Sequence, residues 1–274
     1  MRPSRRSRGR THVHKVARFS AEDRRDIFSE AAAKLGIRPS IIEKDFWVCF
    51  VLKMLFAESP FKESLVFKGG TSLSKVYGLI DRFSEDIDLV LDWEIIGFGD
   101  GPKDPMQTFQ SKSKQDQFNK EINRVAAQFI SGKLRPQIDD LVRREEIGLS
   151  ATVDSEDPQV INIHYPAAFT EAYIRPEVRL EIGPLASWVP SSAHVIQPYA
   201  FDICARWCRA ASSRTDLRLK KRRLRSTPAD PGSSFSEYQT KASTASHSRP
   251  YRPGLVTISF FQFWKPGANR SVVS

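Results

Sequence analysis

Apolar residues recur every three to four positions through several stretches of the chain, which is the spacing of the buried face of an α-helix. This spacing predicts helices over residues 20–35, 41–56, 71–79, 115–130 and 136–146. Ser20 can cap the first helix and Gly36 ends it. The helix at 41–56 has so many apolar positions that we expect it to be mostly buried.

Shorter apolar stretches, some of them alternating with polar residues, predict β-strands. They lie at residues 64–67, 86–91, 161–165 and 178–182. Gly, Pro and polar residues predict a loop over 95–110. Helices and strands mixed in this order predict an α/β or α+β fold, in which a small mixed sheet is flanked by helices.

The net charge of +10 is distributed unevenly along the chain. Residues 1–15 carry six basic and no acidic side chains, and residues 206–274 carry fourteen basic against three acidic. The part between them therefore has a net charge of −7. Basic ends favour RNA or another polyanion as a partner. The alternative, which the composition leaves equally open, is that the ends are solvated and disordered.

The C-terminal part of the chain differs in composition from the rest. Ser, Thr, Pro, Gly and basic residues dominate 226–254, a composition that buries too little apolar surface to fold. We therefore predict a disordered basic arm over 1–18, a globular domain over 19–210 and a disordered basic tail over 211–274. Within the tail, the segment from Leu255 to Trp264 is apolar enough to add a strand.

Several classes of protein are excluded by composition. No stretch reaches the roughly 18 apolar residues of a transmembrane helix, and the basic arm is not followed by the apolar segment of a secretory signal. Three cysteines are too few for a disulfide framework. These features predict a protein of the reducing cytoplasm without a membrane partner.

The first chemically informative segment is a glycine turn. A predicted strand runs into Gly69 and Gly70 and then into a predicted helix. Glycine lacks a Cβ, so backbone N–H groups can approach a polyphosphate closely, and the helix N-terminus adds a positive dipole end. Thr71 and Ser72 offer hydroxyl groups, and Lys75 lies one turn further along. If Gly70 has a positive φ, a side chain there would strain the turn.

Two aspartates, Asp86 and Asp88, open the next predicted strand. Residues two apart on a strand share a face, so these carboxylates converge while Ile87 and Leu89 point to the core. Such a pair can bind two metal ions about 3.5–4 Å apart in phosphoryl transfer. Oxygen ligands fit Mg²⁺ or Mn²⁺ rather than zinc. An Asp-x-Asp or a Gly-Gly alone is a weak indication, and their order along the chain makes the pattern specific.

The combined pattern resembles the AbiEii/AbiGii toxin nucleotidyltransferases of the DNA polymerase β-like superfamily. The resemblance is carried by the segments Ile42–Val48, Lys68–Lys75, Arg82–Leu89, Ile163–Pro166 and Arg175–Gly183. It implies the polymerase β-like fold, a nucleoside triphosphate substrate and Mg²⁺. It also implies the toxin half of a bacterial toxin–antitoxin or phage-defence system, with an RNA (tRNA) or protein acceptor and a helix-turn-helix regulator as antitoxin.

The resemblance also assigns roles to residues. Asp86 and Asp88 correspond to the metal ligands, and the glycine turn with Thr71 corresponds to the triphosphate site. Glu181 stands at the position of the superfamily's third carboxylate, where it would bind the catalytic metal or accept the proton of the acceptor hydroxyl. The alternative for Glu181 is an ordinary solvent-facing strand residue.

Other charged residues have less specific interpretations. Lys68 and Lys75 are candidates for phosphate contacts, although surface lysines are common. Arg82 is more readily interpreted as a brace for the aspartate strand. Glu43 and its neighbours Lys44 and Asp45 are expected to form a structural ion network.

One departure from the family concerns the C-terminal part. The Arg-Thr-Phe-Trp-Glu-Lys helix of the family, with its active-site lysine, is missing, and a frame shift near residues 205–225 would explain the change to a basic sequence. One alternative is therefore an impaired remnant that binds only nucleotide or antitoxin. Another is a nucleic-acid-binding protein acting through its basic ends. Base stacking would require interleaved aromatics, and Phe235 and Tyr238 are the only ones in 214–250.

Overall fold

The computed structural model describes residues 12–79, 83, 85–171, 173–185, 191–212 and 255–259, of which residues 191–193, 212 and 255–259 are described by their backbone alone. The helices in these ranges are α1 (His12–Ala17), α2 (Ala21–Leu35), α3 (Pro39–Lys53), α4 (Gly69–Lys75), α5 (Lys112–Phe129), α6 (Arg135–Glu145) and α7 (Phe201–Ser212). The strands are β1 (Leu65–Lys68), β2 (Asp86–Leu91), β3 (Ser150–Val153), β4 (Val160–His164), β5 (Glu177–Gly183), β6 (Ser191–Val195) and β7 (Leu255–Ser259).

The strands form one mixed sheet in the order β3-β4-β5-β2-β1-β7-β6. Most neighbours are antiparallel, but β2 pairs with β5 and β1 pairs with β7 in parallel. Strand β2 lies between β1 and β5, so residues from distant parts of the sequence flank it on both sides. The predicted α/β fold with a mixed sheet and flanking helices is confirmed.

Helix α3 lies at the centre of the core. Twelve of its fifteen residues are buried, which explains why its sequence is apolar on nearly every side. Trp47 stacks on Tyr165, with ring centroids 5.4 Å apart, and Phe46 packs on Phe28. Each large apolar side chain buried in this way stabilises the fold by about 1.5–3 kcal/mol. Since α3 packs under the sheet, it fixes which sheet face stays open.

Local sequence patterns explain the predicted helix boundaries. The Ser20 hydroxyl accepts a hydrogen bond from the Asp23 amide at 3.1 Å, and Gly36 ends α2 in the left-handed region with φ of 67°. Pro39 occupies the first turn of α3, where its missing N–H costs nothing. The helices and strands expected from periodicity are present, with shifts of a few residues at their ends.

The predicted terminal segments differ from the structure in one place and agree with it in another. Residues 12–17 belong to the predicted disordered arm but form α1, whose Val16 is fully buried and whose contacts are mainly with α7. Because the arm is polar on average, its short apolar repeat did not lead to the prediction of a helix. Residues 255–259 form β7, so the predicted exception within the tail is present over these five residues. The rest of the arm and most of the tail lie outside the described residues, and the domain boundaries stay a prediction.

Strands β3 and β6 and helix α7 were not predicted from periodicity. Helix α7 is anchored by Trp207, which is buried and donates from its indole N–H to Glu30 at 3.0 Å. In the part of the chain that the structure describes, no helix combines the length and apolar character needed to cross a membrane.

Candidate active site

The alternating burial of β2 places two aspartates on the open face of the sheet. Ile87 and Leu89 are completely buried on the core side, whereas Asp86 and Asp88 on the opposite side are partly exposed. The prediction from the two-residue period is therefore confirmed for the orientation of this pair. Their role in metal binding stays a prediction.

Strand β5 places a third carboxylate beside this pair. In the parallel β2–β5 ladder, Asp88 is opposite Glu181 and Asp86 is opposite Arg179. Neighbouring strands lie about 4.8 Å apart, so the carboxylates of Asp86, Asp88 and Glu181 share one small area of the open face. We call these three residues the carboxylate cluster.

Electrostatics within the carboxylate cluster favour binding of a cation. Burial raises the pKa of Asp86, and the charge of Glu181 raises it further. Burial also raises the pKa of Asp88; Lys68 opposes this shift, whereas Glu181 and Asp86 reinforce it. The charge of Glu181 thus makes both aspartates harder to ionise, and a bound cation would relieve this repulsion. The all-oxygen donor set suits Mg²⁺ or Mn²⁺, so the residues present fit the metal that the sequence predicted.

The glycine turn packs directly against the carboxylate cluster. Gly69 has φ of 76°, and a Cβ there would overlap the Asp88 carboxylate. The Gly70 amide donates a hydrogen bond to Asp88. The positive φ that the sequence left open for Gly70 is found at Gly69, and Gly70 does not have one. The turn therefore touches the carboxylate cluster at Asp88, and its role in binding a triphosphate stays a prediction.

The hydroxyl groups predicted to face a phosphate have other partners. The Thr71 hydroxyl donates to the Asp86 carbonyl at 2.5 Å, and the Ser72 hydroxyl donates to the Gly69 carbonyl at 2.9 Å. Both side chains are buried. Thr71 therefore joins α4 to the start of β2, and Ser72 braces the turn. Because both hydroxyl groups donate to backbone carbonyls, only the backbone groups of these two residues stay candidates for phosphate binding.

Lys75 does not reach the glycine turn. Its side chain is 5% exposed and its ammonium forms an ion pair with Asp45 of α3, which is fully buried. The same ammonium lies 3.7 Å from the centroid of the Tyr199 ring and 3.4 Å from the Gln197 carbonyl. The predicted phosphate contact of Lys75 is not supported, because a buried carboxylate must be paired and holds the ammonium on the α3 side.

The expected ion network around α3 is confirmed. The Glu43 carboxylate accepts the amides of Ala168 at 2.7 Å and Phe169 at 2.9 Å, which ties α3 to the loop before β5. The buried Lys44 ammonium donates to the Glu85 carboxylate and to the Arg175 carbonyl, both at 3.1 Å. Lys44 is also close enough to Asp86 to oppose the rise in its pKa. Sequence reasoning missed this proximity.

Sequence reasoning also gave no role to Arg179. Its Nε donates to Glu181 Oε1 at 3.0 Å, and its Nη1 donates to Asp154 Oδ2 at 3.0 Å. The spacing Arg-x-Glu on a strand could have indicated a shared face, as it did for the two aspartates. Arg82, predicted as a brace, lies outside the described residues.

A second group of potential ligands lies away from the sheet face. The His14 Nε2 is 3.7 Å from a Glu58 oxygen and 3.9 Å from a Glu145 oxygen, a spacing that a metal ion could bridge. Arg18 pairs with Glu145 at 3.2 Å, and Lys53 lies 3.9 Å from Glu58. These two cations already neutralise both carboxylates, so the group is better interpreted as an ion network joining α1 to α6.

Comparison with known families identifies the segment that contains this site. A family model described as "Nucleotidyl transferase AbiEii toxin, Type IV TA system" matches residues 51–218. The match includes the glycine turn and all three residues of the carboxylate cluster. Comparison with curated proteins and with solved structures gives no match.

Proposed function

Because the chain belongs to the AbiEii nucleotidyl transferase toxin family, we propose that it is a Mg²⁺- or Mn²⁺-dependent nucleotidyltransferase acting on a nucleoside triphosphate. The observation that carries this proposal is the convergence of Asp86, Asp88 and Glu181 on one open sheet face, against the glycine turn at Gly69. A toxin of this family has an antitoxin as its partner.

In this proposal the carboxylate cluster holds the metal ions. Asp86 and Asp88 are rigid ligands because the β2 backbone is paired on both sides and Ile87 and Leu89 are locked in the core. Bound divalent cations would neutralise the phosphate charge and orient the attacking and leaving oxygens. Glu181 either completes the metal site or accepts the proton of the acceptor hydroxyl.

The glycine turn positions the triphosphate beside the cluster. Gly69 allows the turn to touch Asp88 without a clash, and the Gly70 amide already points to that carboxylate. The Thr71 hydroxyl holds the turn to the β2 backbone. A triphosphate held against this turn would lie next to the metal ligands, which is the arrangement that in-line transfer requires.

The acceptor that we propose is an RNA, such as a tRNA, or a protein. The open face carries an excess of acidic groups. A polyanionic acceptor can therefore approach it only when bound cations neutralise part of this negative charge. The basic ends of the sequence would attract an RNA electrostatically. We further propose that the antitoxin is a helix-turn-helix regulator and that the pair acts in phage defence in the cytoplasm.

The test is a transfer assay on the full chain. Labelled ATP, CTP, GTP and UTP are each incubated with Mg²⁺ and with total tRNA or a protein extract, and the labelled acceptor is identified. We expect transfer that Asp88→Asn abolishes. Asp116→Asn, which removes the same charge from exposed α5, is the matched control and should leave transfer unchanged. Transfer that persists in Asp88→Asn would overturn the assignment.

A second function is favoured by one sequence observation, the missing Arg-Thr-Phe-Trp-Glu-Lys segment. An impaired family member would bind metal and nucleotide through the same residues without transferring a nucleotide. Metal-dependent triphosphate binding by calorimetry, combined with no transfer to any acceptor, would favour this function over the first.

A further inference from the structure

Asp154 lies in the turn between β3 and β4, on the sheet that carries the carboxylate cluster. Its carboxylate accepts hydrogen bonds from the Glu156 amide at 3.0 Å, the Asp157 amide at 3.3 Å and the Asn162 side chain at 3.2 Å. The Glu156 and Asn162 bonds are the main reason that the pKa of Asp154 falls to about 2. This carboxylate is therefore charged and fixed in direction by its own turn.

The link from Asp154 to the carboxylate cluster is the Arg179 guanidinium. It donates to Asp154 through Nη1 and to Glu181 through Nε, each at 3.0 Å. A guanidinium is planar, so holding one side in place fixes the direction of the other. Arg179 is also opposite Asp86 in the β2–β5 ladder, which places its charge beside the metal ligands.

We propose that Asp154 is a positioning residue of the metal site, which acts through Arg179 to fix the Glu181 carboxylate beside Asp88. This inference rests on the proposed function, since it assumes that the carboxylate cluster binds metal. Two physical effects support it. The Glu181 side chain is 44% exposed and would sample several rotamers without a fixed partner. Arg179 is a cation that competes with a metal for the same carboxylates. Asp154 neutralises part of the Arg179 charge and so weakens this competition.

The test measures Mn²⁺ affinity of the full chain by calorimetry, with the metal alone as ligand. Asp154→Asn keeps an oxygen that can accept the hydrogen bonds of the turn but removes the charge that holds Arg179. We expect about tenfold weaker Mn²⁺ binding, as for other residues that orient metal ligands, with little change in Tm. Glu156→Gln removes a charge from the same turn and should bind Mn²⁺ as the unmodified chain does. Asp154→Glu should restore part of the affinity.

Arg179→Lys tests the same link from its other end, because one ammonium cannot hold both carboxylates in the guanidinium geometry. It should weaken Mn²⁺ binding, and Asp154→Asn should then cause little further loss. Unchanged affinity in Asp154→Asn or Arg179→Lys, or additive losses in the double variant, would overturn the inference while leaving the proposed function intact. Failure of the unmodified chain to bind Mn²⁺ would instead overturn the proposed function, and this inference with it.

Discussion

Two regions of the molecule concentrate charged side chains. One brings carboxylates of the same charge together, and the other pairs a carboxylate with an ammonium. On the open sheet face, Asp86, Asp88 and Glu181 lie side by side. Burial raises the pKa of both aspartates, and the charge of Glu181 raises it further. In the interior, Asp45 is completely buried but forms an ion pair with Lys75. Burial alone would lower the pKa of Lys75, but the Asp45 charge raises it above its ordinary value, so the ammonium stays charged.

The difference separates structural charge from the charge to which we propose a function. A buried ion costs several kcal/mol unless it is paired and hydrogen-bonded, and the Asp45–Lys75 pair meets this condition with the Tyr199 amide as a further donor at 2.7 Å. The carboxylates of the cluster repel one another, which costs stability. Such repulsion is typical of sites where a bound ligand supplies the opposite charge. The same residue types therefore require different experiments in the two regions.

The largest effect on stability is expected from Lys75→Met. This change leaves the Asp45 carboxylate buried without its counter-charge, which should cost about 3–5 kcal/mol in the free energy of unfolding. Denaturant unfolding measures it. The double variant Asp45→Asn/Lys75→Met should recover a large part of the loss, and Lys112→Met on exposed α5 should cost little. A loss below about 1 kcal/mol for Lys75→Met would mean that the pair is not structural.

The opposite result is expected in the carboxylate cluster. Asp86→Asn or Asp88→Asn removes a proposed metal ligand, so Mn²⁺ affinity should fall by more than the roughly 10–100-fold that loss of an orienting residue costs. The metal-free protein should be as stable as before, or slightly more stable, because repulsion is relieved. Calorimetric titration and thermal unfolding on the same samples test both statements. Intact metal affinity in both variants would exclude this site.

A change at Gly69 should affect both stability and metal binding. Gly69→Ala adds a Cβ at a positive φ and in overlap with Asp88, for which we expect about 1–3 kcal/mol of destabilisation and weaker Mn²⁺ binding. Gly36→Ala is the matched control, since Gly36 has a similar φ of 67° and open space around the added Cβ. The control should show the backbone strain alone, with unchanged Mn²⁺ affinity. Equal behaviour of the two variants would mean that the turn does not touch the site.

The smallest expected effect is a dependence on pH. The folded pKa values of Asp86 and Asp88 are raised, so the folded metal-free protein binds protons more tightly than the unfolded chain does. These groups therefore destabilise the fold above their folded pKa, and the cost disappears as the pH falls toward their unfolded value. Asp86→Asn should thus exceed the unmodified chain in Tm at pH 7, by on the order of 1 °C, and the gap should close near pH 4. A gap that widens on acidification would contradict the sign of the shift.

The parts of the site that could be predicted from the sequence are those set by local geometry. The two-residue period of β2 gave the shared direction of Asp86 and Asp88, and the glycine turn was located from its position between a strand and a helix. Which of the two glycines takes the positive φ could not be predicted, because Gly69 and Gly70 look alike in sequence and only the path of the chain decides between them. The role of Glu181 beside the aspartates was predicted from family resemblance, because Glu181 lies on a different strand and no local sequence pattern links it to β2.

By itself, the sequence determined the order of helices and strands and the two faces of each strand, because these depend on neighbours a few residues away. The tertiary structure alone decided which charges meet. Lys75 follows the glycine turn closely in sequence, yet its partner Asp45 comes from α3, thirty positions earlier. Arg179 joins Glu181 to a turn of another hairpin. Pairing of this kind depends on which strands lie side by side and which helix packs beneath them, and burial then makes an unpaired charge too costly to leave.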